Sequence, residues 1–223
     1  LAERPRRARF LRRRARPTTM DDTQLLRYSR HLLLDQLGPD GQERYAAARA
    51  LVVGVGGLGN PAAQFLASAG VGRITLVDAD SVDLTNLQRQ ILFAMDDVGA
   101  PKVEAAARRL AAINPEPRYV RVAKRVGAGE LAALAADADV VLDCTDNFQT
   151  RHDVNRACVD ARVPLVSGAA VRFDGQIAVF DARDPASPCY HCLFGEGEEL
   201  EETRCATMGV FAPLVAIVGA TQA

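Results

Sequence analysis

Leu51-Val52-Val53-Gly54-Val55-Gly56-Gly57-Leu58-Gly59 is the stretch that decides the fold. An apolar, β-branched run ends in a GxGxxG loop, a spacing that suits a tight strand-to-helix turn whose backbone amides can approach a phosphate. Taken alone, such a loop is a weak signal. Asp78 follows at the end of a second apolar run, where a carboxylate can accept hydrogen bonds from both ribose hydroxyls. Then come Asp83-Leu84-Thr85-Asn86-Leu87-Gln88-Arg89-Gln90 and Pro101-Lys102. Asn86, Arg89 and Lys102 offer an amide, a planar guanidinium and a compact ammonium, the set wanted around a triphosphate. The glycine loop and Asp78 also fit an NAD-binding oxidoreductase, but that reading leaves those three residues without a purpose. A non-catalytic binding module is the other alternative.

Outward from this stretch, apolar runs alternate with Ala-rich helical patterns, the signature of βαβ units and a parallel sheet. Strands are predicted at 50–53, 73–77, 118–122, 140–143 and 164–166, and helices at 61–69, 101–113, 130–136 and 150–161. After Ala169 the period changes. Val171-Arg172-Phe173 and Gln176-Ile177-Ala178-Val179-Phe180 flank Asp174-Gly175, which predicts a hairpin with a two-residue turn. The expected fold is therefore α/β: a Rossmann-like, mostly parallel sheet with helices on both faces and an antiparallel hairpin extension. A helical segment is expected before the first strand, from Asp21 to Ala48, with Leu25, Leu26, Leu32, Leu33 and Leu34 forming an apolar surface for the core or a partner.

The 223 residues, 48% of them hydrophobic, suit one core-forming domain. Net charge is −1, but residues 1–19 hold eight Arg and one acid, which leaves 19 basic against 27 acidic side chains. An acidic body excludes a nucleic-acid binder as the expectation. Residues 1–19 are read as a disordered Arg-rich extension, and 20–223 as the folded domain. No apolar segment of secretory type follows the arginines, and the longest apolar run, Gly209 to Ala220, contains Pro213 and is too short to span a bilayer. A cytoplasmic location with no membrane partner is expected.

Val140-Val141-Leu142-Asp143-Cys144-Thr145-Asp146-Asn147 reads as a buried strand running into two acids. Ligands of open α/β sheets sit beyond the carboxyl ends of strands, so Asp146 falls where Gly56 and Asp78 converge. A carboxylate there repels phosphates unless a divalent ion lies between, which makes Asp146 the candidate Mg²⁺ ligand and Asp143 the structural acid. Cys189-Tyr190-His191-Cys192 has the spacing of half a zinc site. Cys205 adjoins Arg204, a neighbour that favours a thiolate. Cys144 and Cys158 lie in strand and helix patterns and read as core residues, and His31, His152 and His191 as surface or packing histidines.

Arg27-Tyr28-Ser29-Arg30, the loop Gly54–Gly59, Asp78-Ala79-Asp80, the block from Thr85 to Gln90, Lys102, Asp143–Asn147 and Phe173-Asp174-Gly175-Gln176 together closely resemble the MoeB/ThiF adenylyltransferases. These are relatives of the ubiquitin-activating enzymes that use MgATP to adenylate the C-terminal glycine of a small ubiquitin-like sulfur carrier protein. The resemblance implies ATP bound by Gly54, Gly56, Gly57, Gly59, Asp78, Asp80, Asn86 and Gln90, with Arg89 and Lys102 neutralising the triphosphate and Asp146 holding Mg²⁺. It implies a homodimer in which Arg30 reaches the neighbour's ATP site, and Cys205 forming a thioester or persulfide with the carrier. It also implies Zn²⁺ on Cys189 and Cys192 with a second CxxC near the C-terminus, so the chain is expected to be truncated there. A sulfurtransferase or cysteine desulfurase is an implied partner. The molybdopterin branch is preferred, and the thiamine-pathway carrier is the alternative.

Overall fold

The computed structural model describes residues 20–195 and 208–223. The expectations for residues 1–19 and for Cys205 lie outside the described residues. Contacts divide the chain into a unit ending at Glu43 and a unit beginning at Arg44.

In the first unit, Asp21 caps helix α1 (Asp22–Arg27): its carboxylate accepts from the Gln24 backbone at 2.8 Å, and the Gln24 side chain accepts from the Asp21 backbone at 3.1 Å. Helix α2 (Ser29–Leu32) follows directly, and His31 bonds Gln42 through its ring at 3.1 Å. Leu25, Leu26, Leu33 and Leu34 are exposed. Helix α3 (Gly38–Ala47) carries the chain into the second unit.

There the order is β1 (Arg49–Val53), α4 (Gly59–Ser68), β2 (Arg73–Val77), α5 (Lys102–Ile113), β3 (Arg118–Val122), α6 (Ala128–Ala136), β4 (Val140–Asp143) and α7 (Phe148–Ala161). Strands β5 (Leu165–Val171) and β6 (Asp174–Phe180), the short helix α8 (Tyr190–Leu193) and a last helix (Ala212–Gln222) complete it. The sheet order is β3-β2-β1-β4-β5-β6, parallel except for β5 with β6. Strand alternation sends side chains to two cores. Val52, Ile74 and Leu76 pack with α4, α5 and the last helix, while Leu51, Val53 and Val141 pack with α6 and α7. Helices thus cover both faces. Chain order reverses between β1 and β4, the position where open α/β sheets leave a crevice. Val53 is level with both Val77 and Asp143, so the residues after all three strands emerge together.

The hairpin differs from its predicted form. Val171 pairs with Asp174, so the turn is Arg172-Phe173, with Arg172 at φ 51°, and Gly175 lies inside β6 opposite Ala170. Packing explains the shift: a Cβ on Gly175 would meet Val218 Cγ2 at 2.8 Å and Leu214 Cδ1 at 3.0 Å. The glycine is spent on admitting the last helix, not on turning the chain. Pro213 sits in that helix's first turn, where its missing N–H costs nothing.

Candidate active site

The turn after β1 is built by contacts that only glycine permits. Gly54 has φ 88°, and a Cβ there would lie 2.7 Å from the Cys144 carbonyl oxygen. A Cβ on Gly59 would lie 2.0 Å from the Gly54 oxygen, and one on Gly57 2.6 Å from Val215 Cγ1. Gly56 is different. Its nearest neighbour would be Gln90 Nε2 at 3.8 Å, so its face of the loop is open.

Asp78 braces this loop. Its Oδ2 accepts from the Val55 N–H at 2.8 Å, and its Oδ1 from the Asp80 N–H at 2.9 Å. Burial pushes its carboxyl above the ordinary range, against the opposing pull of Lys102 and the two backbone donors. Lys102, buried at the start of α5, donates to Asp80 Oδ2 at 2.8 Å. Asp80, read above as a nucleotide contact, is here the counter-ion of Lys102, so a triphosphate would compete with it for the ammonium.

The segment between β2 and α5 forms an arm pinned at its base. Val82 donates to Ala100, and Gly99 to Val82, each at 2.8 Å. Asp97 is fully buried, accepts from Ala94 N–H at 2.9 Å and from Arg109 Nε at 2.9 Å, and pairs with Arg108. Burial raises its carboxyl, but these donors outweigh burial and hold it below the usual range. On the arm, Asp83 caps a short 3₁₀ turn and Asn86 reaches back to accept from the Asp83 N–H at 3.2 Å, while Arg89 donates to the Thr85 carbonyl at 3.1 Å. Gln90 is buried, and its Oε1 has no partner among the described residues.

Beyond β4, Asp143 is buried and fully engaged. Its Oδ1 accepts from the Thr145 N–H and hydroxyl at 3.0 and 2.7 Å, and its Oδ2 from the Ser167 hydroxyl at 3.0 Å. Asp146 is exposed and has no ion-pair partner among the described residues. One cleft of about 720 Å³ joins these pieces, and its wall includes Gly56, Asp78, Asn86, Arg89, Lys102 and Asp146. That volume is in the range of small-molecule sites.

Sequence reading missed three cations in the same wall: Lys124, Arg125 and Arg151. Arg151 donates to the Thr145 carbonyl at 2.8 Å and stacks over the Phe148 ring, 5.9 Å from its centroid. Its signal was faint but present, since the N-cap Asn147 starts α7 and places Arg151 one turn in, beside the strand end. Arg30 lies exposed on α2 in the first unit. Cys189 and Cys192 are not in the cleft wall. Their Sγ atoms are 3.6 Å apart, close to the ~3.8 Å edge of a tetrahedron with ~2.3 Å zinc–sulfur bonds. Desolvation raises the Cys189 thiol, but hydrogen bonds from Asn155, Cys192 and His191 bring it below the ordinary value. No group of three metal-type side chains occurs among the described residues. Nor is any described helix long and apolar enough to cross a membrane.

The model of the ThiF family matches residues 28–223. Molybdopterin-synthase adenylyltransferase of Escherichia coli K12 is 49% identical over 207 residues, covering 92% of this chain and 81% of that protein. The sulfur carrier protein ThiS adenylyltransferase of the same strain is 44% identical over 204 residues, covering 92% and 80%. A crystal structure of E. coli MccB with ATP shares the fold at TM-score 0.71 and 28% identity, covering 87% of this chain and 60% of that one. The chain therefore spans most of the curated relatives' length but less than two thirds of the solved MccB chain. With a match that takes in the glycine loop, the arm and the end of β4, and with near-half identity to two adenylyltransferases, the chain belongs to the ThiF family.

Proposed function

We propose that the protein is an adenylyltransferase that uses ATP to activate the C-terminal glycine of a small ubiquitin-like sulfur carrier protein in molybdopterin biosynthesis. The observation that carries this is the single cleft in which Asp78, Asn86, Arg89, Lys102 and Asp146 meet the open face of Gly56. In this reading Asp78 receives the ribose, Gly56 lets the loop amides close on the phosphates, and Asn86, Arg89 and Lys102 bind the triphosphate.

The chemistry is limited by like charge. The carrier's carboxylate must attack the α-phosphorus, itself ringed by anionic oxygens, and the carboxylate–phosphorus bond forms as pyrophosphate departs. Arg89 and Lys102 offset that repulsion and hold charge as it develops on the departing oxygens. Asp80 holds the Lys102 ammonium in place until the phosphates compete for it. Arg151, tethered to the Thr145 carbonyl, adds a further cation to the cleft wall. Asp146, an exposed carboxylate on the cleft wall with no ion-pair partner among the described residues, fits a divalent ion. Bound there, Mg²⁺ would neutralise phosphate charge.

Several further roles belong to the same proposal. Arg30 would serve a neighbouring subunit's site in a homodimer, and Cys205 would take part in sulfur transfer with a sulfurtransferase or cysteine desulfurase. Cys189 and Cys192 would supply two of four zinc ligands, as their separation supports. A cytoplasmic setting is consistent with the free thiols of Cys144, Cys158, Cys189 and Cys192. The thiamine-pathway carrier is a second reading, favoured by the 44% identity to the ThiS adenylyltransferase. ATP–pyrophosphate exchange with each carrier separates the two. Exchange should depend on carrier and fall by about a hundredfold or more in Arg89→Ala and Asp146→Ala. Exchange untouched by both substitutions would defeat the mechanism.

A further inference from the structure

Asn60, the second residue of α4, has no exposed surface and lies behind the cleft wall, not in it. Its Nδ2 donates to the Val55 carbonyl at 2.8 Å, and its Oδ1 accepts from the Leu92 N–H at 3.0 Å. A carbonyl can only accept and an N–H can only donate, so the orientation of the amide is settled by its partners. Val55 belongs to the glycine loop and already donates its own N–H to Asp78 at 2.8 Å. Leu92 lies on the arm, directly after the segment that carries Asn86, Arg89 and Gln90.

We infer that Asn60 is a positioning residue, a buried amide that holds the glycine loop, braced on Asp78, at a fixed distance from the arm that carries Arg89. The inference rests on the adenylation reading above, since its consequence is the spacing between loop amides and arm cations along a phosphate chain. The geometry calls for this residue type. One planar group must present a donor to one loop and an acceptor to another from two separate arms, which Leu and an ionised Asp cannot do and which Ser offers only from a single oxygen. Asp97 pins the base of the arm to α5, and Asn60 pins its far stretch to the loop. Without the amide, a carbonyl and an N–H face the interior unpaired, and the two walls relax apart. Small misplacements of this kind are costly to a reaction that depends on alignment.

The test uses the whole protein with its carrier, ATP–pyrophosphate exchange, and two variants. Asn60→Leu keeps the branching and number of heavy atoms, with somewhat bulkier methyls, and removes both bonds. Asn60→Asp keeps the acceptor for Leu92 but sets a second oxygen against the Val55 carbonyl until it is protonated. The titratable group joined to the same Val55 backbone is Asp78, which accepts from the Val55 N–H. At about pH 8 both variants should lose at least about tenfold in kcat/KM for ATP while circular dichroism shows a folded chain. The deficit of Asn60→Asp, normalised to wild type, should narrow as the pH falls towards about 6, because a buried acid protonates early. A packing role alone would not give that pH profile. Should Asn60→Leu fail to fold, Asn60→Asp at the two pH values carries the test. Exchange within about twofold of wild type in the folded variants, or a pH-independent deficit in Asn60→Asp, would overturn the inference. If the wild-type protein itself shows no exchange with any carrier, the adenylation reading fails instead. ATP affinity by calorimetry then decides Asn60's role, with equal affinities in wild type and variants overturning it.

Discussion

Two alanine substitutions in the glycine loop should have opposite consequences. In Gly59→Ala the new Cβ would sit 2.0 Å from the Gly54 oxygen and 2.9 Å from its carbonyl carbon. Ordinary contact needs about 3.4 Å, so loop and helix must separate by more than an ångström. Gly54 cannot retreat, because its own Cα already faces the Cys144 carbonyl, where even a Cβ would lie at 2.7 Å. The strain falls on the packing of α4 against β1, and overpacking of this kind costs about 2–4 kcal/mol. For a chain of this size that lowers Tm by roughly 5–15 °C. In Gly56→Ala the nearest atom is Gln90 Nε2 at 3.8 Å, and the backbone is not in the left-handed region. Stability should change by less than about 1 kcal/mol. The methyl instead occupies the face on which phosphates must close, so KM for ATP should rise by about tenfold or more. Thermal unfolding paired with ATP titration of pyrophosphate exchange measures both. A Gly56→Ala protein that melts lower than Gly59→Ala, or binds ATP like wild type, would refute the assignment of one glycine to packing and the other to ligand approach.

Asp97→Asn should destabilise by about 2–3 kcal/mol at neutral pH, the scale of a buried charge-assisted cluster. Because donors hold the Asp97 carboxyl below its ordinary range, that contribution is complete above the unfolded value of about 4. It is lost as pH falls through the lower folded value, so the gap between wild type and variant in urea unfolding should close below about pH 4; a constant gap would contradict this. Thiol labelling of the native, metal-free protein at about pH 8 should modify Cys189 and Cys192 and spare Cys144 and Cys158. Burial pushes the Cys158 thiol up to about 12 and that of Cys144 higher still, while Cys189 is lowered and Cys192 exposed. Peptide mapping that finds Cys144 labelled in the folded state would show that the region around β4 opens.

The parts of the cleft whose place in the fold was legible in sequence are those whose signal is local. β1, β2 and β4 are short apolar runs, and the crevice at their carboxyl ends follows from strand order alone. Asp78 was placed by its distance from the loop, and Asp143 by lying at the end of a buried strand. The turn chemistry misled. Asp174-Gly175 is a favoured turn pair, yet the last helix needs Gly175 bare, so the turn moved to Arg172-Phe173. The pairing of Asp80 with Lys102 had no local signal, because nothing nearby in sequence reveals that Lys102 folds back onto it.

The sequence by itself determined the α/β class and the strand-to-helix turn with Asp78 after the next strand, because strand period, glycine spacing and residue type are properties of neighbours along the chain. Tertiary structure alone decided which buried groups brace the cleft. Asn60 meets Leu92 across 32 residues, and Gln222 donates to the Asp143 carbonyl across 79. Such bonds have no periodic or local signature. They exist only because folding strips water from backbone groups brought together from distant segments, and each must then find its partner there.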